Sequence, residues 1–112
     1  MPEKTPEKNM PRPPDSLHRV APKLASLTTE VLFGDVWERR ELSKRDRSLI
    51  TCAALAVLYR PEQLRFHLRL ALTNGVKKEE LTELITHIAF YGGWPCAVQA
   101  AQLADEVFGA PG

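Results

Sequence analysis

Apolar positions along this chain recur at spacings of three and four residues and almost nowhere in strict alternation, so the pattern predicts helices and no sheet. Between Pro61 and Thr73, Leu64, His67, Leu68, Ala71 and Leu72 fall on one stripe, while Phe66 and Leu70 form a second strip opposite it. A helix apolar on two sides calls for two neighbours. Pro61 suits the first helical position, where its missing N–H costs nothing, and Asn74-Gly75 supplies the left-handed exit that helices favour. Beyond that turn Leu81, Leu84, Ile85, Ile88 and Gly92 make the next stripe, with Glu79 and Glu80 in a first turn whose dipole favours them. Along one edge run Glu80, Glu83, His87 and Tyr91. Tyr91-Gly92-Gly93-Trp94-Pro95 ends this helix, and Pro95 opens another that reaches Phe108.

Upstream, Leu17, Val20, Leu24, Leu27, Val31 and Leu32 also keep helical spacing, but Pro22 interrupts the backbone bonding there. A helix is therefore expected from near Pro22 to Phe33-Gly34. Gly34 to Leu42 reads as a connector pinned by Trp37. Ser43 and Asp46 resemble a capping box, and Leu49 to Leu58 is then apolar on every face, which predicts a central buried helix. Met1 to Pro14 carries five of the nine prolines among polar residues and reads as a disordered tail. The expectation is an all-α fold of about five helices, forming a single domain over residues 15–112.

Composition narrows the function classes. At 112 residues with 44% hydrophobic positions the chain can bury a modest core, and association would help stabilise it. Fifteen basic and fourteen acidic residues are interleaved for a net charge of +1, which offers no electrostatic footprint for nucleic acid or an anionic membrane. No run approaches the roughly 18 apolar residues of a membrane span, and the N-terminus lacks a secretory apolar core, so a cytoplasmic protein is expected. Cys52 and Cys96 are far apart and in no CxxC, which suits reduced, buried, small apolar residues. Gly-rich phosphate loops, a Ser-centred nucleophile elbow and HExxH are missing from the sequence, and no metal site is expected.

The ordered set FGDVW, LSKRDRSLIT, QLRFH, ALTNGVKKEEL and HIAFYGGWPCAVQA, from Phe33 onward, resembles the carboxymuconolactone decarboxylase family of the alkylhydroperoxidase D-like superfamily. That resemblance implies a helical homo-oligomer, often a hexamer, without metal or organic cofactor. It also implies decarboxylation of a carboxylated lactone in aromatic-compound catabolism. The peroxidase branch carries CxxCxxxH; with His67 as its histidine, the cysteine positions hold Arg60 and Gln63. Where that branch has Glu after the helix arginine, Ser48 follows Arg47. Trp94, Cys96 and Gln99 depart from the commoner Phe, Ala and Asn, which reshapes a pocket wall and with it the substrate.

Losing CO₂ from a carbon conjugated to a lactone carbonyl leaves an extended enolate, so a cofactor-free enzyme needs a donor at that oxygen, an acid to return a proton and a seat for carboxylate. His67, on the apolar stripe, is the candidate donor, though it also reads as a plain core histidine. His87 and Tyr91, four apart, can return the proton, with Glu83 one turn earlier to orient His87. Arg47 offers a planar fork for carboxylate or simply an ion pair. Trp94 and Cys96 complete the substrate-binding set. The alternatives are a thiol hydroperoxide reductase using Cys52 or Cys96, and a non-catalytic binder of lactones or aromatic acids.

Overall fold

The computed structural model describes residues 12–109, and among these every regular element is helical. The tail expected over residues 1–14 lies, as far as residue 11, outside the described residues. The contacts divide the chain into two compact units, Met1–Ser43 and Lys44–Gly112.

In the first unit α1 spans Asp15–Val20 and α2 Pro22–Leu27, followed by a π-helical turn over Thr28–Phe33 and a 3₁₀ turn over Val36–Glu38. The helix expected from Pro22 does begin there and runs on to Phe33, and a separate short helix, α1, precedes it. Ala21, at φ −134° and ψ 70°, absorbs the break, and Pro22 takes the first position of α2, where no N–H is needed. At the entrance to the π turn Thr28 Oγ1 donates back to the Leu24 carbonyl at 2.8 Å, a local bond that competes with regular helix. Gly34 follows because the widened turn brings its backbone against the carbonyls of Thr29 and Glu30. A Cβ there would lie 2.7 and 2.8 Å from those oxygens. Trp37 is the expected anchor: it is buried and tilts against Phe33, ring centroids 5.5 Å apart.

The second unit is a four-helix arrangement of α3 (Lys44–Val57), α4 (Pro61–Thr73), α5 (Lys78–Gly92) and α6 (Trp94–Gly109). α4 packs on α3 and α6, α5 packs on the same two helices, and α3 touches α6 across the middle. α4 and α5 thus stand on diagonal corners. The core is built from Cys52 and Ala56 of α3, Leu64, Leu68 and Ala71 of α4, Leu81 and Ile88 of α5, and Cys96, Ala100 and Leu103 of α6. Small residues on α3 and α6 let those two backbones approach closely.

The expectation of a fully buried Leu49–Leu58 is corrected. α3 buries Ser48, Cys52 and Ala56, whereas Ile50 is 56% exposed, Leu58 is exposed as well and Val57 is only partly covered. α3 packs on α4, α5 and α6 through Ser48, Cys52 and Ala56, and its remaining apolar positions are only partly covered, so apolar residues all round do not produce burial all round.

Both long turns use the same closure. After α4, Gly75 at φ 99° lets its N–H reach the Leu72 carbonyl and that of Val76 reach Ala71, while the Val76 side chain enters the core. After α3, Tyr59 N–H reaches Ala56 and Arg60 N–H reaches Leu55, but the left-handed position is held by a tyrosine, φ 59°. At the head of α5 the Lys77 N–H donates to Glu80 Oε1 at 2.9 Å, closing the first turn.

Candidate functional site

His67 emerges from the middle of α4 beside the buried Leu64, Leu68 and Ala71. Its ring is half-buried and meets the edge of Phe66 with centroids 5.1 Å apart. Burial disfavours the charged ring and holds the imidazole pKa below its ordinary 6.5. The side chain is neutral at neutral pH and, in that form, both a donor and an acceptor. Nδ1 of His67 and Nε of Arg47 are enclosed by protein.

Arg47 lies in the opening turn of α3, half-buried, and the next residue, Ser48, is completely buried. The Ser48 hydroxyl accepts a hydrogen bond from Asn74 Nδ2 at 3.0 Å. Arg45 pairs with Glu80 Oε2 across the α3–α5 seam. The sequence offered no signal for either contact, since Asn74 reads locally as a turn residue and Glu80 as a first-turn carboxylate.

His87 and Tyr91 do meet: their rings lie 4.9 Å apart at 37° on successive turns of α5. Both face solvent in the single chain, Tyr91 at 79% exposure. Glu83 is exposed as well, and no hydrogen bond joins it to His87 among the described residues. Trp94, 59% exposed, opens α6 and stands edge-on to Phe90 at 5.3 Å. Cys96 is inside instead, its thiol donating to the Gly93 carbonyl at 3.1 Å. His67 and the His87–Tyr91 pair sit on α4 and α5, which share α3 and α6 as neighbours and pack little on each other directly.

Two open grooves run along α5 and α6. One of about 280 Å³ is lined by Ile85, Ala89, Phe90, Trp94, Ala97 and Val98 among others, and one of about 300 Å³ by Thr82, Ile85, Ala104, Asp105 and Phe108 among others. Neither holds Arg47, His67, His87 or Tyr91, and neither carries a cation. No cluster of three or more His, Cys, Asp or Glu side chains suited to a metal forms among the described residues. Nor is any described helix long and apolar enough to cross a membrane.

An all-helical chain with this order of turns and a lone half-buried histidine on its second long helix has the alkylhydroperoxidase D-like fold. The chain belongs to the carboxymuconolactone decarboxylase family, whose model matches residues 22–106. It is 39% identical over 102 residues to the 4-carboxymuconolactone decarboxylase of Acinetobacter baylyi, covering 91% of this chain and 76% of that one. Nitrosuccinic acid decarboxylase of Metarhizium robertsii is 36% identical over 74 residues, 66% of this chain and 52% of the relative. An uncharacterised 15.0 kDa protein of Paracoccus denitrificans is 31% identical over 96 residues, 83% of this chain and 71% of the other.

Proposed function

We propose that this chain is a cofactor-independent carboxy-lyase that acts on a carboxylated lactone, of the 4-carboxymuconolactone type, or on a similar small acid of aromatic-compound catabolism. The observation that carries the reading is the 39% identity to a 4-carboxymuconolactone decarboxylase over 91% of the chain. The second decarboxylase relative supports loss of CO₂ as the shared chemistry while differing in substrate.

In this reading Arg47 seats a substrate carboxylate through its planar fork. As CO₂ leaves, charge develops on the carbonyl oxygen, and neutral His67 donates to it from a half-buried position where a hydrogen bond counts for more than in water. His87, with Tyr91 against it, returns the proton to carbon. Since α4 and α5 are diagonal, the pair that serves one His67 comes from another copy in a homo-oligomer, hexameric by family resemblance. Trp94 shapes the wall that selects substrate. The thiol-peroxidase reading has less support: both cysteines are buried, and burial pushes the Cys52 thiol up to about 12.

Incubation with 4-carboxymuconolactone while CO₂ release is followed tests the reading. Wild-type chain should turn the lactone over, and His67→Gln should stay folded yet lose about 100-fold or more, the scale of removing one oxyanion donor. A folded His67→Gln variant with wild-type turnover would remove His67 from the site.

A further inference from the structure

Two side-chain contacts converge on the turn of α3 that carries Arg47, and the reading of Arg47 as the carboxylate seat does not account for them. Glu80, in the first turn of α5, divides its two oxygens between two tasks. Oε1 accepts the Lys77 N–H at 2.9 Å and closes its own helix, while Oε2 takes Nη2 of Arg45 on α3. Three residues further along α3, the fully buried Ser48 hydroxyl accepts from Asn74 at the end of α4. The opening turn of α3 is thereby tied at its second residue to α5 and at its fifth to the α4–α5 turn. Arg47 lies between the two ties.

We propose that Glu80 is a positioning residue for substrate: through Arg45 it fixes the turn of α3 that presents Arg47, and it thereby sets carboxylate affinity. The proposal rests on the reading of Arg47 given above. A guanidinium that grips a carboxylate with two parallel bonds tolerates displacements of only about half an ångström. The enclosed Nε of Arg47 confines its side chain, so a shift of the turn carries the guanidinium with it. Both partners of the Arg45–Glu80 pair are about one-third exposed, so the pair adds little to global stability. What it supplies is register. The Lys77 N–H, followed by Arg45, keeps the Glu80 carboxyl below the usual carboxylate range, and it stays charged at neutral pH.

Glu80→Gln separates the two tasks, because a glutamine oxygen still accepts from Lys77 in the capping position while its amide nitrogen cannot pair with Arg45. Arg45→Ala breaks the same tie from the other side and leaves Glu80 in place. With 4-carboxymuconolactone as probe, each variant should raise KM about tenfold with kcat within about twofold of wild type, the signature of lost ground-state binding. The double variant should add nothing further. Amide hydrogen exchange over residues 48–52 should quicken in both single variants while the melting temperature moves by less than about 4 °C. Unchanged KM, additive effects in the double variant, or unchanged exchange at residues 48–52 would overturn the proposal. A wild-type chain that releases no CO₂ sinks the functional reading instead, and the exchange measurement then decides by itself whether Glu80 holds that turn.

Discussion

Gly92, in the last turn of α5, presses its backbone against Val57 at the end of α3: a Cβ built on it would lie 2.8 Å from Val57 Cγ2 and 3.0 Å from the Cys96 sulfur. Real Cβ atoms do not approach that closely, so the glycine is what lets α5 meet α3 and the start of α6 at one point. Gly92→Ala gains helix propensity of about 1 kcal/mol but forces a methyl group into a filled space, an overpacking cost of about 1–3 kcal/mol. The expected net effect is a lower melting temperature, and Gly92→Ala combined with Val57→Ala should recover part of the loss. A thermal melt in which the single variant is more stable than wild type would contradict the contact.

Both cysteines should be inert in the native protein. Cys52 is buried with its thiol pushed up to about 12, so at pH 8 about one molecule in ten thousand carries the thiolate. Cys96 is enclosed beside the Gly93 carbonyl. A thiol reagent should modify neither until denaturant is added. Fast labelling of native protein would revive the thiol-peroxidase alternative.

Acid should destabilise the fold through His67. Burial lowers its pKa below 6.5 in the folded chain, so the unfolded chain takes up the proton first as pH falls. The contribution is complete above about 6.5 and declines as pH drops toward the folded value. Melting temperatures at pH 7.5 and 5.5 should therefore differ in wild type by more than in His67→Gln. Equal acid sensitivity in the two proteins would show that another group controls it.

Tyr59 occupies the left-handed cap position that Gly75 fills in the next turn, although an L side chain is strained there. Tyr59→Gly should relieve that strain and stabilise the cap by about 1 kcal/mol, offset in part by the entropy glycine adds to the unfolded chain. A rise of about 2–4 °C in melting temperature is expected. A fall would mean that the phenol ring contributes contacts worth more than the strain.

Self-association is expected from what the single chain leaves outside. Phe90, Trp94 and Val98 are exposed along the α5–α6 groove and Tyr91 is exposed near the end of α5, while Ile50 on α3, Leu58 just after it and Phe66 on α4 are exposed as well. Such patches mark interaction surfaces in soluble proteins. Light scattering at low micromolar concentration should report a mass well above that of one chain, and a stable monomer would count decisively against it.

Much of the helical frame was legible in local chemistry. α4 begins at Pro61 and ends at Thr73 as its proline and Asn-Gly exit require, and the stripe residues Leu64, Leu68, Ala71, Leu81 and Ile88 are the ones that form the core. The burial of Cys52, Cys96 and Trp37 followed from their apolar settings. The resemblance to the carboxymuconolactone decarboxylase family was carried by short segments whose order and spacing are themselves properties of sequence.

Tertiary structure decided the rest. Periodicity states which face of a helix is apolar but not which neighbour covers it, so the one-sided burial of α3 and the exposed Phe66 could not be read from spacing. The short helix α1 before Pro22, joined to α2 through the break at Ala21, depended on how one residue's dihedrals absorb a missing donor. That the helices carrying His67 and His87–Tyr91 pack little on each other comes from helix packing order, to which a single helix is blind. Asn74 meets Ser48 across 26 residues and Arg45 meets Glu80 across 35, and such pairs exist only once the helices between them have docked.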